Sequence, residues 1–325
     1  MFHIFPDIPD FSKFNFLITG GAGFIGSHVC DFLVEAKARK IVVLDNISTG
    51  SLHNIQHHLD KKSVEFIEGD ILIYEDCFNS CKGIDVVIHL AALGSVPRSV
   101  ANPLATHEAN STGFLNMLWA AHQNKVSKFI YASSSSVYGD NLQSPKVEGN
   151  EGDPLSPYAL SKQNNEAYAK LFASLYDLQT IGLRFFNIFG PRQNTNGPYA
   201  AFLPLVISSA KNKQELKING DGLQSRDFTY VANAVSAITC AIISGDNTSG
   251  MAFNIGCGKS SSLLEVVKYV EEISRCTIIK VHQPERSGDI KNSLADLTAS
   301  SLLLGYKPIY SIEEGLSITF KELHF

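Results

Sequence analysis

Phe14-Asn15-Phe16-Leu17-Ile18-Thr19-Gly20-Gly21-Ala22-Gly23-Phe24-Ile25-Gly26 is an apolar run that ends abruptly in glycine. The run reads as a buried strand, and a helical pattern through Ala36 follows it. Between them, Gly20, Gly23 and Gly26 stand three residues apart, with Gly21 an additional member of the turn. Glycines there let the backbone turn tightly and approach a pyrophosphate, while the helix start offers free N–H groups and a positive dipole end. A bland turn is the commonest alternative for such a motif, but here both the strand and the helix are present. The next strand, Lys40 to Leu44, ends at Asp45. A carboxylate at that strand end suits the 2′-hydroxyl of a dinucleotide's ribose and would repel a 2′-phosphate. This favours NAD over NADP, the alternative being that Asp45 is a turn residue before Asn46.

The flanking chain repeats the alternation. Val64 to Glu68, Asp85 to Leu90, Lys128 to Ala132 and Thr180 to Asn187 read as further strands, separated by helical or mixed segments. Such spacing predicts an α/β fold, a Rossmann-type doubly wound parallel sheet covered on both faces. Leu93 to Ser99 reads as a loop, and a long helix is expected from about Pro103 to Asn124. After Gly190-Pro191-Arg192 the pattern changes to a helix near 201–211, short strands at 216–219 and 227–230, a helix through Ser244 and a strand at 251–256. Helices near 262–274 and 294–304 are expected to complete the chain. The division expected is 1–186 as the dinucleotide-binding domain, with returns near 226–256, and 187–325 as mainly a smaller C-terminal α/β substrate-binding lobe.

Composition narrows the partners. With 44% hydrophobic and 18% charged residues and a net charge of -5, the 325-residue chain suits a soluble globular protein and argues against a nucleic-acid footprint. No apolar run approaches a membrane span and no signal-peptide pattern opens the chain, so a cytoplasmic home is expected. The six cysteines are scattered, and no second Cys or His pair completes a zinc site around Cys77 and Cys81, so reduced thiols and no metal are expected.

Chemistry is concentrated in two stretches. Ser133-Ser134-Ser135-Ser136 follows the fifth strand, at the carboxyl end of the sheet where ligands of such folds bind. Ser156-Pro157-Tyr158-Ala159-Leu160-Ser161-Lys162 starts a helix at Pro157. Of the 11 tyrosines only Tyr158 has a lysine four residues on, which places phenol and ammonium on one helical face. A nearby cation that favours phenolate would bring a phenol with a reference pKa of about 10 toward general-base work. By itself the pair reads equally as a chance neighbour pair on a solvated helix.

Taken together, Gly20-x-x-Gly23-x-x-Gly26, Asp45, Gly69-Asp70, Leu90-Ala91-Ala92, the serine cluster, Tyr158-x-x-x-Lys162 and Ser225-Arg226-Asp227-Phe228 resemble the extended short-chain dehydrogenase/reductase family of nucleotide-sugar epimerases and dehydratases. Within it, Ala91 to Ser99, Ser133 to Asp140, Leu155 to Tyr158 and Asn219 to Gly222 are most similar to the bacterial UDP-N-acetylglucosamine 4-epimerases. The resemblance implies a tightly bound NAD and a UDP-sugar substrate oxidised at C4, turned over and reduced on the opposite face. It implies Ser134, Tyr158 and Lys162 as the catalytic set. For the cofactor it implies Gly20, Gly23, Phe24, Ile25, Gly26, Asp45, Asn46, Asp70, Ile71, Leu90, Ala91, Ala92, Asn110 and Phe185, with Tyr158 and Lys162. For the substrate it implies Gly94, Ser95, Ser134, Ser135, Ser136, Tyr158, Asn187, Ala201, Asn219, Arg226, Arg286, Asp289 and Ser293. Related dehydratases place an Asp-Glu pair where this chain has Ser135-Ser136, which disfavours dehydration. Ser293 replaces the bulky tyrosine of strict UDP-glucose enzymes, leaving room for an N-acetyl group. Epimerisation of the corresponding N-acetylhexosaminuronic acid stays open, because Arg98 could meet a carboxylate, as does a catalytically silent NAD-binding module. A homodimer is also implied, through the helix bearing Phe114 to Trp119 and the helix after Tyr158.

Overall fold

The computed structural model describes residues 9–194, 200–285 and 291–323. Its frame is a seven-stranded parallel sheet, built from β1 (Asn15–Thr19), β2 (Lys40–Asp45), β3 (Glu65–Glu68), β4 (Val86–His89), β5 (Lys128–Ser134), β6 (Gln179–Phe185) and the late strand Met251–Ile255. The spatial order is Met251–Ile255, β6, β5, β4, β1, β2, β3. The chain therefore winds outward from β1 through β2 to β3, returns to β4 on the other side of β1, and winds outward again. Ligands of open α/β sheets bind outside the carboxyl ends of the strands where that reversal occurs.

Strands buried on both faces need apolar residues at every position rather than at alternate ones. Phe16, Leu17 and Ile18 of β1 and Val86, Val87 and Ile88 of β4 meet that requirement, all of them buried. One face of the sheet packs on Phe32, Leu33, Val235 and Ile238 of the helices Phe24–Glu35 and Val231–Ile243. The other packs on Phe114, Met117, Leu118 and Phe172 of the helices Gly113–Gln123 and Pro157–Leu175. A separate core, with Phe189, Val206, Ile218, Val266, Leu316 and Phe320, gathers the smaller elements that follow β6.

Several expectations need correction. The segment at 93–99 is not wholly loop: Ser95 caps a helix over Val96–Ala101, its Oγ accepting from Arg98 N at 3.4 Å. The long helix is interrupted by a π turn at Glu108–Thr112 between Pro103–His107 and Gly113–Gln123. The strand expected at 227–230 is two short pieces, Ser225–Arg226 and Thr229–Tyr230, separated because Asp227 turns inward. The helix expected at 294–304 is shorter, since Asn292–Ser293 is strand and Ala295 bridges Lys146, leaving the π turn Ser300–Leu304. A last helix, Ile312–Glu322, was not expected; Ser311 and Glu314 cap it reciprocally, and it buries Leu316 and Phe320. All six cysteines carry free thiols, with Cys30, Cys77, Cys81 and Cys240 buried. Among the described residues no helix is long and apolar enough to cross a membrane.

Candidate active site

The glycine turn joins β1 to the helix Phe24–Glu35 at the sheet's reversal. Gly20 has φ +70, and a Cβ there would stand 2.8 Å from Ala91 N. A Cβ on Gly26 would lie 2.3 Å from Gly20 O, so only glycine lets the helix start so close to the strand. Gly23 caps that helix without a side chain, leaving its first N–H groups facing outward. In front of them lies a cavity of about 330 Å³. It is lined by Gly20, Gly23, Phe24, Ile25, Gly26, Asp45, Asn46, Ile71, Leu90, Ala91 and Ala92, all singled out from the sequence, and by Gly94, which had been placed with the substrate. Donors at one end, a carboxylate at another and a small-residue wall fit an extended dinucleotide such as NAD.

Asp45 is fixed for its position. Its Oδ2 accepts from Ala22 N at 3.0 Å and its Oδ1 from Ile47 N at 2.9 Å, while burial pushes its pKa up. Asp70 and Asn110 are outside the lining but shape it. Asp70 Oδ2 accepts from Asn46 Nδ2 at 2.9 Å. Asn110 clasps the wall from behind, accepting from Leu93 N at 2.7 Å and donating to Leu93 O at 3.1 Å. Phe185, also outside the lining, ends β6 in register with Ser134.

The helix Pro157–Leu175 presents the tyrosine and lysine. Ser156 caps it by accepting from Ala159 N at 3.1 Å, with Pro157 in its first turn. Lys162 Nζ donates to Ala132 O at 2.8 Å, and Ala132 lines the cavity, so the lysine stands at its edge. Ser134 Oγ accepts from Ser136 N at 3.1 Å and stands near the Tyr158 hydroxyl. Burial pushes the Tyr158 phenol up, and the nearby Ser134 hydroxyl acts in the opposite direction. The depression expected from the lysine is thus not supplied by the protein alone. Lys162 Nζ is 5.8 Å from the ring centroid and is turned to a carbonyl; burial pushes its own pKa down to about 8, against the opposing charge of Glu166.

Glu166, one turn beyond Lys162, was missed in the sequence. It accepts from Ser133 Oγ at 2.5 Å and pairs with Arg184 through Nε at 2.9 Å and Nη2 at 2.7 Å. Arg184 Nη1 reaches Tyr138 Oη at 2.9 Å and Glu151 at 2.5 Å. Tyr138 in turn donates to Asn254 Oδ1 at 2.7 Å, and Asn254 Nδ2 donates to Lys146 O and Asp296 O. This buried chain ties the helix of Tyr158 and Lys162 to the segment leading from Ser293.

Of the residues assigned to substrate, Asn187, Ala201, Asn219 and Arg226 come together around a second pocket of about 240 Å³. Phe202, Lys217, Gln224 and Phe228 join them. Lys217 could have been found from the alternation Leu216-Lys217-Ile218-Asn219, in which residues 217 and 219 share a face. Ser293 is buried in register with Arg226, and its carbonyl accepts from Asp227 N at 2.7 Å. Asp227 holds this corner together, accepting from Cys257 N at 2.7 Å and Gly258 N at 2.9 Å; burial nonetheless pushes its pKa up to about 6. Ser95 lies beside Gly94 at φ 97, a conformation that costs about 1–3 kcal/mol for a residue with a side chain. Ser135 starts the short 3₁₀ turn to Tyr138, and Ser136 Oγ is buried with no partner among the described residues. Arg286 and Asp289 lie outside the described residues.

Residues 16–256 match the NAD dependent epimerase/dehydratase family. The chain is 34% identical over 309 residues to an uncharacterized UDP-glucose epimerase of Bacillus subtilis, covering 93% of this chain and 95% of that one. A UDP-N-acetylglucosamine 4-epimerase from Methanobrevibacter ruminantium, solved in complex with UDP-N-acetylmuramic acid, shares 37% identity at a TM-score of 0.90 over 97% of this chain and 99% of that one. The UDP-glucose 4-epimerase of Thermotoga maritima, solved with UDP-glucose, shares 35% at 0.89 over 95% and 98%.

Proposed function

As the chain belongs to the NAD dependent epimerase/dehydratase family, we propose that it is a UDP-sugar 4-epimerase acting on UDP-N-acetylglucosamine and UDP-N-acetylgalactosamine. The observation that carries this reading is the placement of Tyr158 and Lys162 on one helix beside Ser134, with Lys162 at the edge of a cavity suited to NAD that is joined through β5 and β6 to the pocket around Asn187 and Arg226. NAD, when bound in the cavity, would supply the hydride acceptor and donor for C4. Tyr158 takes the proton of the 4-hydroxyl and gives it back, while Ser134 holds the reacting oxygen and orients the phenol. Lys162 supplies a buried cation that favours the phenolate once a sugar hydroxyl and the cofactor's charge share the site.

In this reading the glycine turn and Asp45 hold the two ends of the cofactor. Asn187, Asn219 and Arg226 hold the nucleotide, the guanidinium being suited to pyrophosphate. Arg286 and Asp289 are assigned to the same role from their sequence match. Preference for an N-acetylated sugar is supported by Ser293, whose small side chain is buried beside Arg226, and by the likeness to the Methanobrevibacter enzyme. Residues 1–186, with the return of strand Met251–Ile255 to the sheet, are assigned to the cofactor, and most of 187–325 to the substrate.

The assembly is proposed to be a homodimer. Val100, Leu104 and Leu175 are 64%, 75% and 62% exposed, and Leu160 and Leu171 stand out on the same group of helices. Apolar side chains exposed to this degree call for a cover, and two copies facing each other across the helices Gly113–Gln123 and Pro157–Leu175 supply it.

The test is conversion by purified protein with no NAD added. UDP-N-acetylglucosamine, UDP-glucose and UDP-N-acetylglucosaminuronic acid are offered separately and followed by NMR. The reading expects the first to be converted fastest. Faster turnover of the uronic acid would move the assignment to that substrate, and no turnover of any sugar by protein that contains NAD would end it.

A further inference from the structure

On the face opposite the catalytic tyrosine, three side chains converge that the proposed reaction does not use. His57 and His58 are neighbours in the short helix Gln56–Asp60, where successive side chains ordinarily diverge. Here both rings turn the same way, with centroids 4.0 Å apart. His57 Nε2 lies 3.0 Å and His58 Nε2 2.7 Å from the same atom, Asp31 Oδ1. The second oxygen of Asp31 is occupied by Arg192 Nη2 at 2.8 Å, so Oδ1 is the one left facing the two imidazoles.

A further partner holds His58 in place. Ser63 Oγ lies 3.2 Å from His58 Nδ1 and 3.3 Å from His58 O, so it can take a hydrogen from Nδ1 while giving its own to the carbonyl. Nε2 and Asp31 Oδ1, 2.7 Å apart, are bridged either by a ring proton or, in its place, by a metal ion. A ligating imidazole whose other nitrogen donates to an outer partner is the usual arrangement at metal sites.

We propose that Asp31, His57 and His58 form a site for a divalent transition-metal ion of the zinc type. Two imidazoles and one carboxylate are a donor set for zinc, nickel or cobalt rather than for magnesium or calcium, which take oxygen ligands. All three donor atoms already lie within 4.8 Å of one another. Tetrahedral bonds of about 2.0–2.1 Å need ligand atoms roughly 3.3 Å apart, so each imidazole moves away from Asp31 Oδ1 by only about half an ångström or less from its 3.0 or 2.7 Å. His57, with its side chain 46% exposed, has the freedom to move and gives the ion its way in. Water completes the coordination. The ion fastens the helix that begins at the glycine turn to the helix Gln56–Asp60. Through the other oxygen of Asp31 it is coupled to Arg192, at the exit from the strand pair around Asn187. Its role is that of a brace, with no part in the chemistry at C4.

The test uses tag-free full-length protein, stripped with chelator and titrated with zinc in calorimetry, with magnesium as the control and cobalt absorption as a report of coordination. Close to one zinc per chain is expected, with no heat from magnesium. His57→Asn, at an exposed position outside the catalytic and binding sets, is expected to keep its fold and turnover but to weaken zinc by more than about tenfold, since even an outer-shell partner of a metal is worth that much. Arg192→Gln is expected to tighten zinc, because it removes a positive charge beside the ion. No stoichiometric zinc in the parent protein would leave the bridging cation a proton and overturn the proposal. Zinc binding that His57→Asn leaves intact, or that Arg192→Gln fails to tighten, would place the ion elsewhere and overturn it equally.

Discussion

Glu166→Gln probes the buried charge behind the lysine. In the parent protein the Glu166 carboxylate takes two bonds from Arg184 and one from Ser133, and acts against the burial that pushes Lys162 down to about 8. The amide keeps the shape but loses the charge, and its nitrogen turns a donor toward a donor. Breaking a buried ion pair on one side costs about 3–5 kcal/mol. Glu151, still 2.5 Å from Arg184 Nη1, places this case at the low end. At roughly 2 °C per kcal/mol for a chain of this size, about 3 kcal/mol lowers Tm by about 6 °C. Lys162 responds separately. Without the carboxylate its pKa falls further below the ordinary lysine value, so the ammonium is lost at lower pH. The alkaline limb of the kcat profile therefore moves toward neutrality. The double variant Glu166→Gln/Arg184→Met leaves no guanidinium facing an amide, and is expected to recover part of the Tm but none of the alkaline limb. Thermal melts and pH-rate profiles on all three proteins are the assay. An unchanged alkaline limb in Glu166→Gln would refute the electrostatic link to Lys162, and an unchanged Tm would refute the buried pair.

Tyr158→Phe removes the proton carrier and keeps the ring; turnover is expected to fall by about 10²–10⁴-fold, with NAD content, read by absorbance after denaturation, unaltered. Gly26→Ala sets a methyl 2.3 Å from Gly20 O, so the turn must open, and the purified variant is expected to carry little NAD. His89, buried with Nδ1 2.8 Å from Thr19 Oγ1, is pushed by burial and then by Lys162 from 6.5 down to about 3. Between those values the unfolded chain takes up a proton that the folded chain refuses, so stability falls as pH falls. His89→Gln is expected to remove up to about 1.4 kcal/mol per pH unit of that slope in urea melts. Leu104→Arg with Leu175→Arg is expected to turn a dimer into a monomer in light scattering; a parent protein that is already monomeric contradicts the proposed interface.

The sheet was legible because its strands are short, largely apolar runs, and the glycine turn fixed where the first helix begins. Where the signal was weaker, local capping outweighed it. Val96–Ala101 is helical because Ser95 caps it and Pro97 suits its first turn, features that also read as a loop. The Ser311-x-x-Glu314 box that starts the last helix is visible in the sequence, but it lies past the final apolar stretch assigned there. The serine, tyrosine and lysine proposed to act in catalysis stand out in the sequence because they sit in two short motifs. Glu166 does not, since its meaning depends on Arg184 reaching it from the neighbouring strand β6. Asp31, His57 and His58 were invisible for the same reason: neighbouring histidines on a helix give no hint of a shared target until the tertiary fold brings Asp31 between them.

In the proposed reaction hydride leaves one sugar carbon and returns to it within a single active site. The direct measurement is NMR or mass spectrometry of UDP-N-acetylglucosamine carrying deuterium at C4, incubated in ordinary water with protein as purified and no NAD added. UDP-N-acetylgalactosamine that keeps its deuterium at C4 is the expected result. Product with the label washed out into solvent, or no product from protein shown to contain NAD, would contradict it.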